Sequence, residues 1–305
     1  MAAITLIEYA KGIQNDLLRG VVETFASGSP VLGKLPFMDV KSGAIEYSQE
    51  DTLPGIAFRN VNASYTASSG VINPLVEKVK IMGGTIDTDI ALIRRFGDSR
   101  RALDIAMKVK AGSRYFDAIF IDGDESTYPA QFYGLNKRLA GNQLLYADGA
   151  GTAGAVLSEN IIDRVIDAVD EKPDLLLMGK KMYRQLKNLF KGSTIFGFTD
   201  PNYFGVRVPT FDGIEIGILD KDNLNNVILD IDETVGSDTC GSIYALKFGE
   251  DRLAGIQTAP PDSKDLGEIT AGKLTYRLDW DVGIIVAHPR CAARMAGIKA
   301  ATGVL

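Results

Sequence analysis

Apolar residues recur with a helical period in several parts of this 305-residue chain. Between residues 4 and 26 they return every three to four positions, a spacing that predicts one amphipathic helix. A longer helix is predicted from about Ser99 to Phe120, and Asp98 or Ser99 can cap its start. At 1.5 Å per residue this helix would be roughly 33 Å long.

Two shorter helices are predicted in the second half of the chain, on either side of a strand. The first has Ser158 as its N-cap and stops before Pro173, and the second carries an apolar stripe from Met182 to Phe190. The apolar run "DLLLMG" at 174–179 lies between them and predicts a short buried strand. After Phe190 the chain turns to strand patterns, such as "VPTFDGIEIGILD" and "SIYALKFG".

Alternation with a period of two indicates the other strands. Residues 44–93 are β-rich: "AIEYSQ" and "IAFRNV" alternate, and the polar stretch "NASYTASSGVINP" is typical of an extended loop. The clearest strand is 273–287, in which every second residue is apolar. Trp280 belongs to its apolar face, while Arg277 and Asp279 belong to a face that is solvated or salt-bridged.

Composition narrows the classes of protein to consider. The chain is 46% hydrophobic and 24% charged, which is enough for a packed core in one large or two ordinary domains. Its net charge of −6 and pI near 5.0 give no support for a protein that grips nucleic acid through a basic face. Because no apolar run approaches ~18 residues, we expect no membrane association and a cytoplasmic site of synthesis.

A glycine motif raises the question of nucleotide chemistry. Gly149, Gly151 and Gly154 in "ADGAGTAG" match the spacing G-x-G-x-x-G of dinucleotide-binding loops. Two features of such loops are missing, because the following helix begins at Ser158, beyond the motif, and the next strand does not end in an acidic residue. We therefore interpret the three glycines as a hinge between two domains.

Other candidate chemistry is weak. Cys240 and Cys291 form no C-x-x-C pair, and the lone histidine, His288, lies beside a proline at the end of an apolar run. Residues 121–127 begin like a calcium-binding loop but lack its glycine and glutamate. We therefore predict no catalytic residue, no cofactor and no metal site.

Four stretches of the sequence carry a resemblance to a known family. They are "VVETFASGSPVLGKLPFMDVKSGAIEYSQEDTLPGIAFRNVNASY", "ALDIAMKVKAGSRYFDAIFIDGDESTYPAQFYGLNKRL", "VPTFDGIEIGILD", and "GSIYALKFGEDRLAGIQ" followed by "LGEITAGKLTYRLDWDVGIIVAHPRCAARMAGI". Their order resembles the major capsid proteins of tailed bacteriophages, which have the Hong Kong 97 fold. Together they span nearly the whole chain.

The resemblance implies an α+β architecture with five segments. They are an N-terminal arm (1–43), an extended β-hairpin loop with flanking strands (44–93), a peripheral domain with a long spine helix (94–150), an axial domain (151–268) and a return to the peripheral domain (269–305). The extended loop would reach over a neighbouring subunit. This places Ile56, Phe58, Arg59 and Tyr65 at an inter-subunit interface.

The function that the resemblance implies is structural and not enzymatic. Copies of the chain would assemble as hexamers and pentamers into an icosahedral virion shell, in the host cytoplasm, around double-stranded DNA whose sequence is not read. Implied partners are other copies of the chain, a portal protein and a scaffolding protein, with a decoration protein as a further candidate. Because few residues precede the "LPF" stretch, a separate scaffolding protein is expected. No crosslinking residues are assigned.

Two alternatives stay open at this point. An encapsulin-type nanocompartment shell has the same fold but encloses enzymes, so copurifying cargo or DNA would separate the two kinds of shell. The other alternative is a nucleotide-dependent enzyme that uses Gly149, Gly151 and Gly154, which nucleotide titration would test.

Overall fold

The computed structural model of the chain describes residues 3–14, 16–52, 54–191, 196–198 and 207–301. The α-helices in these residues are α1 (Leu6–Gly12), α2 (Asp16–Ser27), α3 (Ile90–Phe96), α4 (Asp98–Asp122), α5 (Leu135–Arg138), α6 (Glu159–Asp167) and α7 (Lys180–Leu189). The longest, α4, has 25 residues and confirms the predicted long helix.

The N-terminal region differs from the single helix that the sequence predicts. It forms a short strand, β1 (Ile4–Thr5), and then two helices, because α1 ends at Gly12 and its C-cap Ile13 has extended dihedrals. Thr5 and Glu8 cap α1 reciprocally, since each side chain accepts a hydrogen bond from the other residue's backbone N–H. Glycine is a poor helix former, which favours a break at this point.

Strands from both ends of the chain build the first sheet. Their order is β1, β2 (Pro36–Asp39), β14 (Leu253–Gln257), β16 (Lys273–Val286) and β15 (Asp262–Thr270), and β5 (Lys80–Asp89) also pairs with β16. β16 confirms the predicted alternation, because Tyr276, Leu278 and Trp280 are buried. On its polar face, Arg277 Nε lies 2.7 Å from a carboxylate oxygen of Asp279.

The second sheet lies in the other half of the subunit. Its strand order is β6 (Leu144–Tyr146), β17 (Ala292–Lys299), β13 (Asp238–Leu246), β8 (Leu175–Gly179), β11 (Ile214–Leu219), β10 (Pro209–Phe211) and β9 (Phe196–Phe198), with β12 (Glu233–Val235) on β13 and β7 (Ala155–Val156) on β17. Every residue of β8 is buried, which confirms the predicted buried strand. Leu176 and Met178 pack with α6 and α7, whereas Leu175 and Leu177 pack in the core that contains α4.

The remaining two strands form a separate antiparallel hairpin. β3 (Ala44–Thr52) pairs with β4 (Val71–Lys78), and the register runs from Ala44 opposite Lys78 to Thr52 opposite Val71. The alternating "IAFRNV" is not a strand, although its pattern favours one: residues 54–70 are irregular and all exposed. Strand geometry depends on a hydrogen-bonded neighbour, and this stretch has none among the described residues.

Helix starts agree with the sequence only in part. Gly97 is the N-cap of α4, so the predicted caps Asp98 and Ser99 are wrong, and no side chain caps this end. Ser158 is the N-cap of α6, as predicted, but its side chain makes no capping hydrogen bond.

Sheet membership cuts across the predicted domain boundaries. β14 lies within 151–268 but belongs to the first sheet, and β17 lies within 269–305 but belongs to the second sheet. The reason is that β16 returns to the first sheet and the chain then crosses back to pair β17 with β13. Pairing over long sequence distances decides these boundaries, and no local pattern records it.

An aromatic cluster joins the N-terminal arm, α4 and the first sheet. The ring of Trp280 on β16 lies 5.3 Å from that of Phe25 on α2, 5.2 Å from Phe37 on β2 and 5.5 Å from Phe116 on α4, between centroids. All four side chains are buried. Aromatic pairs at this spacing stabilise a core beyond the area they bury, so this cluster fixes the arm against α4.

Candidate functional site

The base of the hairpin is held against the body of the subunit. Ile45 and Tyr47 on β3 are partly buried against a small core that includes Ile285. Arg138, which ends α5, donates two hydrogen bonds to the Glu77 carboxylate, with Nη2 2.9 Å from Oε2. Burial raises the pKa of the Tyr47 hydroxyl above its usual value. A bidentate arginine–carboxylate pair fixes orientation, so the hairpin leaves the subunit in a defined direction.

The tip of the hairpin, residues 54–70, lies entirely in solvent. Ile56 and Phe58 are fully exposed, so neither side chain packs on its own subunit. Val61 and Tyr65 are also exposed. A projecting segment with several exposed apolar side chains commonly marks an interaction surface.

Local order exists within this tip. Arg59 Nη1 donates to the carbonyl oxygen of Ala63 at 3.2 Å, and its guanidinium lies 5.3 Å from the ring centroid of Tyr65. Asn62 has a positive φ of 66°, as turn residues can, and Ala63 N–H donates to the carbonyl of Asn60. Arg59 and Tyr65 are therefore brought together. The interface role of all four predicted residues stays a prediction.

The glycine loop is organised around one carboxylate that the sequence analysis did not single out. Asp148 accepts backbone N–H groups from Ala150, Gly151, Thr152 and Ala153 at 2.7–3.1 Å. These hydrogen bonds hold the pKa of Asp148 well below its usual range. The N–H groups that a phosphate would need are therefore already bound to Asp148, which disfavours the dinucleotide alternative.

The glycines of this loop differ in what constrains them. Gly149 and Gly151 have φ of 84° and 73°, a region that glycine adopts readily. A Cβ at position 151 would also lie 2.9 Å from the Tyr146 ring. The N–H of Gly154 donates to Asp238 at 2.9 Å.

The same loop connects two strands of one sheet. β6 and β7 both pair in parallel with β17, so the loop between them lies at the edge of the second sheet. The hinge role of Gly149, Gly151 and Gly154 stays a prediction.

A polar junction connects the end of α4 to the second sheet. Arg294 on β17 lies at its centre: Nη2 is 2.8 Å from Glu233, Nε donates to Ser242 at 3.1 Å, and Nη1 donates to Asn136. Asn136 in turn donates to Asp122, the last residue of α4, at 2.9 Å. Burial is the main cause that raises the pKa of Asp122. No local sequence pattern predicts this junction, because its members are scattered over residues 122–294.

Cysteine and histidine residues occupy structural positions. Cys240 and Cys291 are free and buried, and burial raises the pKa of Cys291 to about 12. His288 follows the end of β16, and its Nδ1 accepts a hydrogen bond from Arg290 N–H. Within the described ranges, no three His, Cys, Asp or Glu side chains are grouped as metal ligands would be. None of the described helices combines the length and apolar character of a membrane span.

The sequence matches no protein-family model and no curated protein. Solved structures do match. An encapsulin complex from Synechococcus elongatus has a TM-score of 0.63 at 13% identity, with 89% of this chain and 88% of that chain covered. The capsid of a native GTA particle has a TM-score of 0.60 at 12% identity, with 89% of this chain and 90% of that chain covered. A structure from Mycobacterium phage Bobi has a TM-score of 0.59 at 14% identity, with 88% of this chain and 90% of that chain covered.

These similarities show the fold of the chain. It is the Hong Kong 97 fold, an α+β fold with a long helix and an extended hairpin, and this confirms the fold that the resemblance implies. In it, α4 is the spine helix and β3–β4 form the extended loop. The predicted bounds of the peripheral and axial domains stay a prediction.

Proposed function

We propose that this protein is a structural major capsid protein whose copies assemble as hexamers and pentamers into an icosahedral phage head around double-stranded DNA. One observation carries the proposal: the fold agrees with capsid and encapsulin structures over 88–92% of the chain. Such broad agreement with shell-forming proteins supports assembly, and so does the projecting hairpin, which a monomer has little use for.

The hairpin supports assembly through its contrast between base and tip. A salt bridge between Arg138 and Glu77 holds the base of the hairpin against the subunit, whereas Phe58 at the tip is exposed to solvent. A neighbouring subunit would cover Ile56, Phe58, Arg59 and Tyr65. Removing one such apolar side chain from water contributes about 1.5–3 kcal/mol, and a closed shell repeats the contact in every subunit.

Partners and location follow from the same proposal. A separate scaffolding protein guides assembly in the host cytoplasm, a portal protein occupies one vertex, and the mature shell is part of the virion. Packaged DNA is enclosed without sequence readout, which is compatible with the net charge of −6. A decoration protein is a further partner of the outer surface. The role requires no enzymatic activity and no cofactor.

An encapsulin-type nanocompartment is the second candidate function. The similarity to the encapsulin complex from Synechococcus elongatus, with a TM-score of 0.63, favours it specifically. The two functions share subunit contacts and differ in what the shell contains.

Electron microscopy of the full-length chain, purified after expression together with its scaffolding protein, tests assembly directly. We expect closed shells in negative stain, and we expect Phe58→Asp to give folded subunits without shells. Leu224→Asp is the matched control, because Leu224 is also highly exposed but lies outside the hairpin. Nuclease-resistant duplex DNA inside the shells supports a phage head, and an enclosed enzyme supports the nanocompartment. A monomer under all assembly conditions contradicts both.

A further inference from the structure

Small and apolar side chains form an exposed stripe along the N-terminal half of α4. Ala102, Leu103, Ala106 and Met107 are all exposed, Leu103 at 53% and Met107 at 48%. Their spacing of one, three and four residues puts them on one face of the helix. Phe96, which ends α3, is 66% exposed and lines a shallow pocket together with Leu103. We call these five residues the α4 stripe.

The same face of α4 is covered further along the helix. Ser113 and Asp117 continue the stripe at helical spacing, and both are buried. The N-terminal arm covers them: Ser29 Oγ donates to the Asp117 carboxylate, and a Cβ at Gly28 would lie 2.7 Å from Ser113 Oγ. This cover does not reach Lys110, which is exposed. The helix therefore has one face that is packed in its second half and bare in its first.

Basic residues predominate in the segment that contains the stripe. Residues 90–114 contain seven arginines and lysines but two aspartates, although the chain as a whole is acidic. Arg94, Arg95 and Lys110 are exposed, and they form no ion pair with any described carboxylate. An apolar surface with a rim of one charge favours a partner with apolar side chains and the opposite charge.

We propose that the α4 stripe is a docking site for an acidic amphipathic helix of a second protein. Apolar side chains of that helix would cover Leu103 and Met107, while its carboxylates would face Arg94, Arg95 and Lys110. This proposal goes beyond shell formation and does not depend on it, because the surface is complete within one subunit.

Two other occupants fit the surface less well. The backbone of duplex DNA would neutralise the basic rim but would leave Leu103, Met107 and Phe96 in contact with water. A second copy paired through the same face would bring the arginines of both copies together, and like charges in contact oppose association.

Fluorescence anisotropy with a defined probe tests the proposal. The probe is a labelled helical peptide of about 20 residues, with leucines at helical spacing i, i+3, i+4 and i+7 and glutamates on either side. It is titrated with the full-length protein, and a scrambled peptide of the same composition serves as control. We expect binding of the probe only, with an affinity that falls as salt rises.

Substitutions assign the binding to the stripe. Leu103→Ser with Met107→Ser should weaken probe binding about tenfold or more, because two half-exposed side chains lose their contact with the probe. Arg94→Ser with Arg95→Ser should weaken it too and reduce its salt dependence. Leu224→Ser, at an exposed leucine in the 219–227 region, should leave affinity unchanged. Circular dichroism should show that all variants are folded, with unfolding midpoints lowered by no more than a few degrees, since these side chains are exposed and serine is a slightly poorer helix former.

Three results overturn the proposal. One is equal affinity for probe and scrambled peptide, and another is probe affinity that survives Leu103→Ser with Met107→Ser. The third is evidence that a different partner binds the α4 stripe. Tight binding of a labelled DNA duplex, weakened only by the arginine substitutions, would assign the surface to nucleic acid. Self-association lost in the Leu103 and Met107 variant, without probe binding, would assign it to a second copy.

Discussion

Large apolar side chains are buried in one region of this subunit and exposed in another. Where the N-terminal arm crosses α4, Phe25, Phe116 and Trp280 are buried in one aromatic cluster. At the tip of the hairpin, Ile56 and Phe58 are fully exposed. Burial of the cluster stabilises the folded state of one chain. The apolar side chains of the tip are still in water, so their burial can stabilise a contact between chains.

Residue type alone therefore does not tell which role an apolar side chain has. Phe58 and Phe116 have the same side chain. Phe58 lies in an alternating strand-like sequence, and Phe116 lies in the predicted long helix. They differ in whether their own chain supplies partners. Paired substitutions in the two regions can separate subunit stability from assembly.

Phe116→Ala should have the largest effect on the subunit. Its ring contacts those of Phe120, Phe132 and Trp280, so truncation leaves a cavity that the rigid surroundings fill incompletely. We expect a loss of about 3–5 kcal/mol in the free energy of unfolding, measured by urea denaturation. A loss below about 1 kcal/mol would mean that the cluster is not a rigid core.

Asp117 should make stability at the arm contact depend on pH. Burial raises its pKa to about 8, against 3.8 as the ordinary value, while the hydrogen bond from Ser29 acts in the opposite direction. Between these two values the folded state binds the proton more tightly than the unfolded state. Asp117 therefore lowers stability progressively as pH rises from about 4 to 8, with a slope of up to about 1.4 kcal/mol per pH unit.

Asp117→Asn provides the comparison for this pH effect. The difference in unfolding free energy between the variant and the natural protein should widen in favour of the variant between pH 5 and pH 8. Urea denaturation at several pH values measures it, and the difference cancels groups common to both chains. A difference that is constant over this range would show that Asp117 is ionised in the folded state throughout.

Gly151→Ala should cost roughly 1–2 kcal/mol, because alanine is strained at its φ of 73° and its Cβ meets the Tyr146 ring. Gly267→Ala is the matched control: its φ is 72°, but a Cβ there would meet no atom within 4 Å. Thermal unfolding compares the two variants, and equal losses of stability would show that the Tyr146 contact has no effect.

If the loop is a hinge, only Gly151→Ala should also change shell shape in electron micrographs. Calorimetry should detect no ATP or NAD binding to either variant or to the natural protein.

Phe58→Ala should have the smallest effect on the subunit and a clear effect on shells. We expect the unfolding free energy to change by less than about 0.5 kcal/mol, because the side chain packs on nothing in its own chain. Shells should dissociate at lower denaturant concentration, as followed by light scattering. Equal losses in subunit and shell would place Phe58 in the subunit's own core and remove the basis of the comparison.

Elements whose pattern is local could be predicted from the sequence. The 3.6-residue period predicted α4, and strict alternation predicted β16, because each pattern reflects a single buried face within one continuous segment. The short apolar run of β8 also predicted its strand, because a strand that is buried on both faces has apolar residues at consecutive positions. The resemblance added the order of the segments, and the structure confirms the fold that it implies.

Features that depend on residues far apart in the chain are set by the three-dimensional packing. It divided β14 and β17 between the sheets, joined Arg294 to Asn136 and Glu233, and left "IAFRNV" without a partner strand. It also buried Asp117 under Ser29, which lies 88 residues away along the chain. Hydrogen bonding and burial are set by whatever lies nearby in space, and a single sequence records only what lies nearby along the chain.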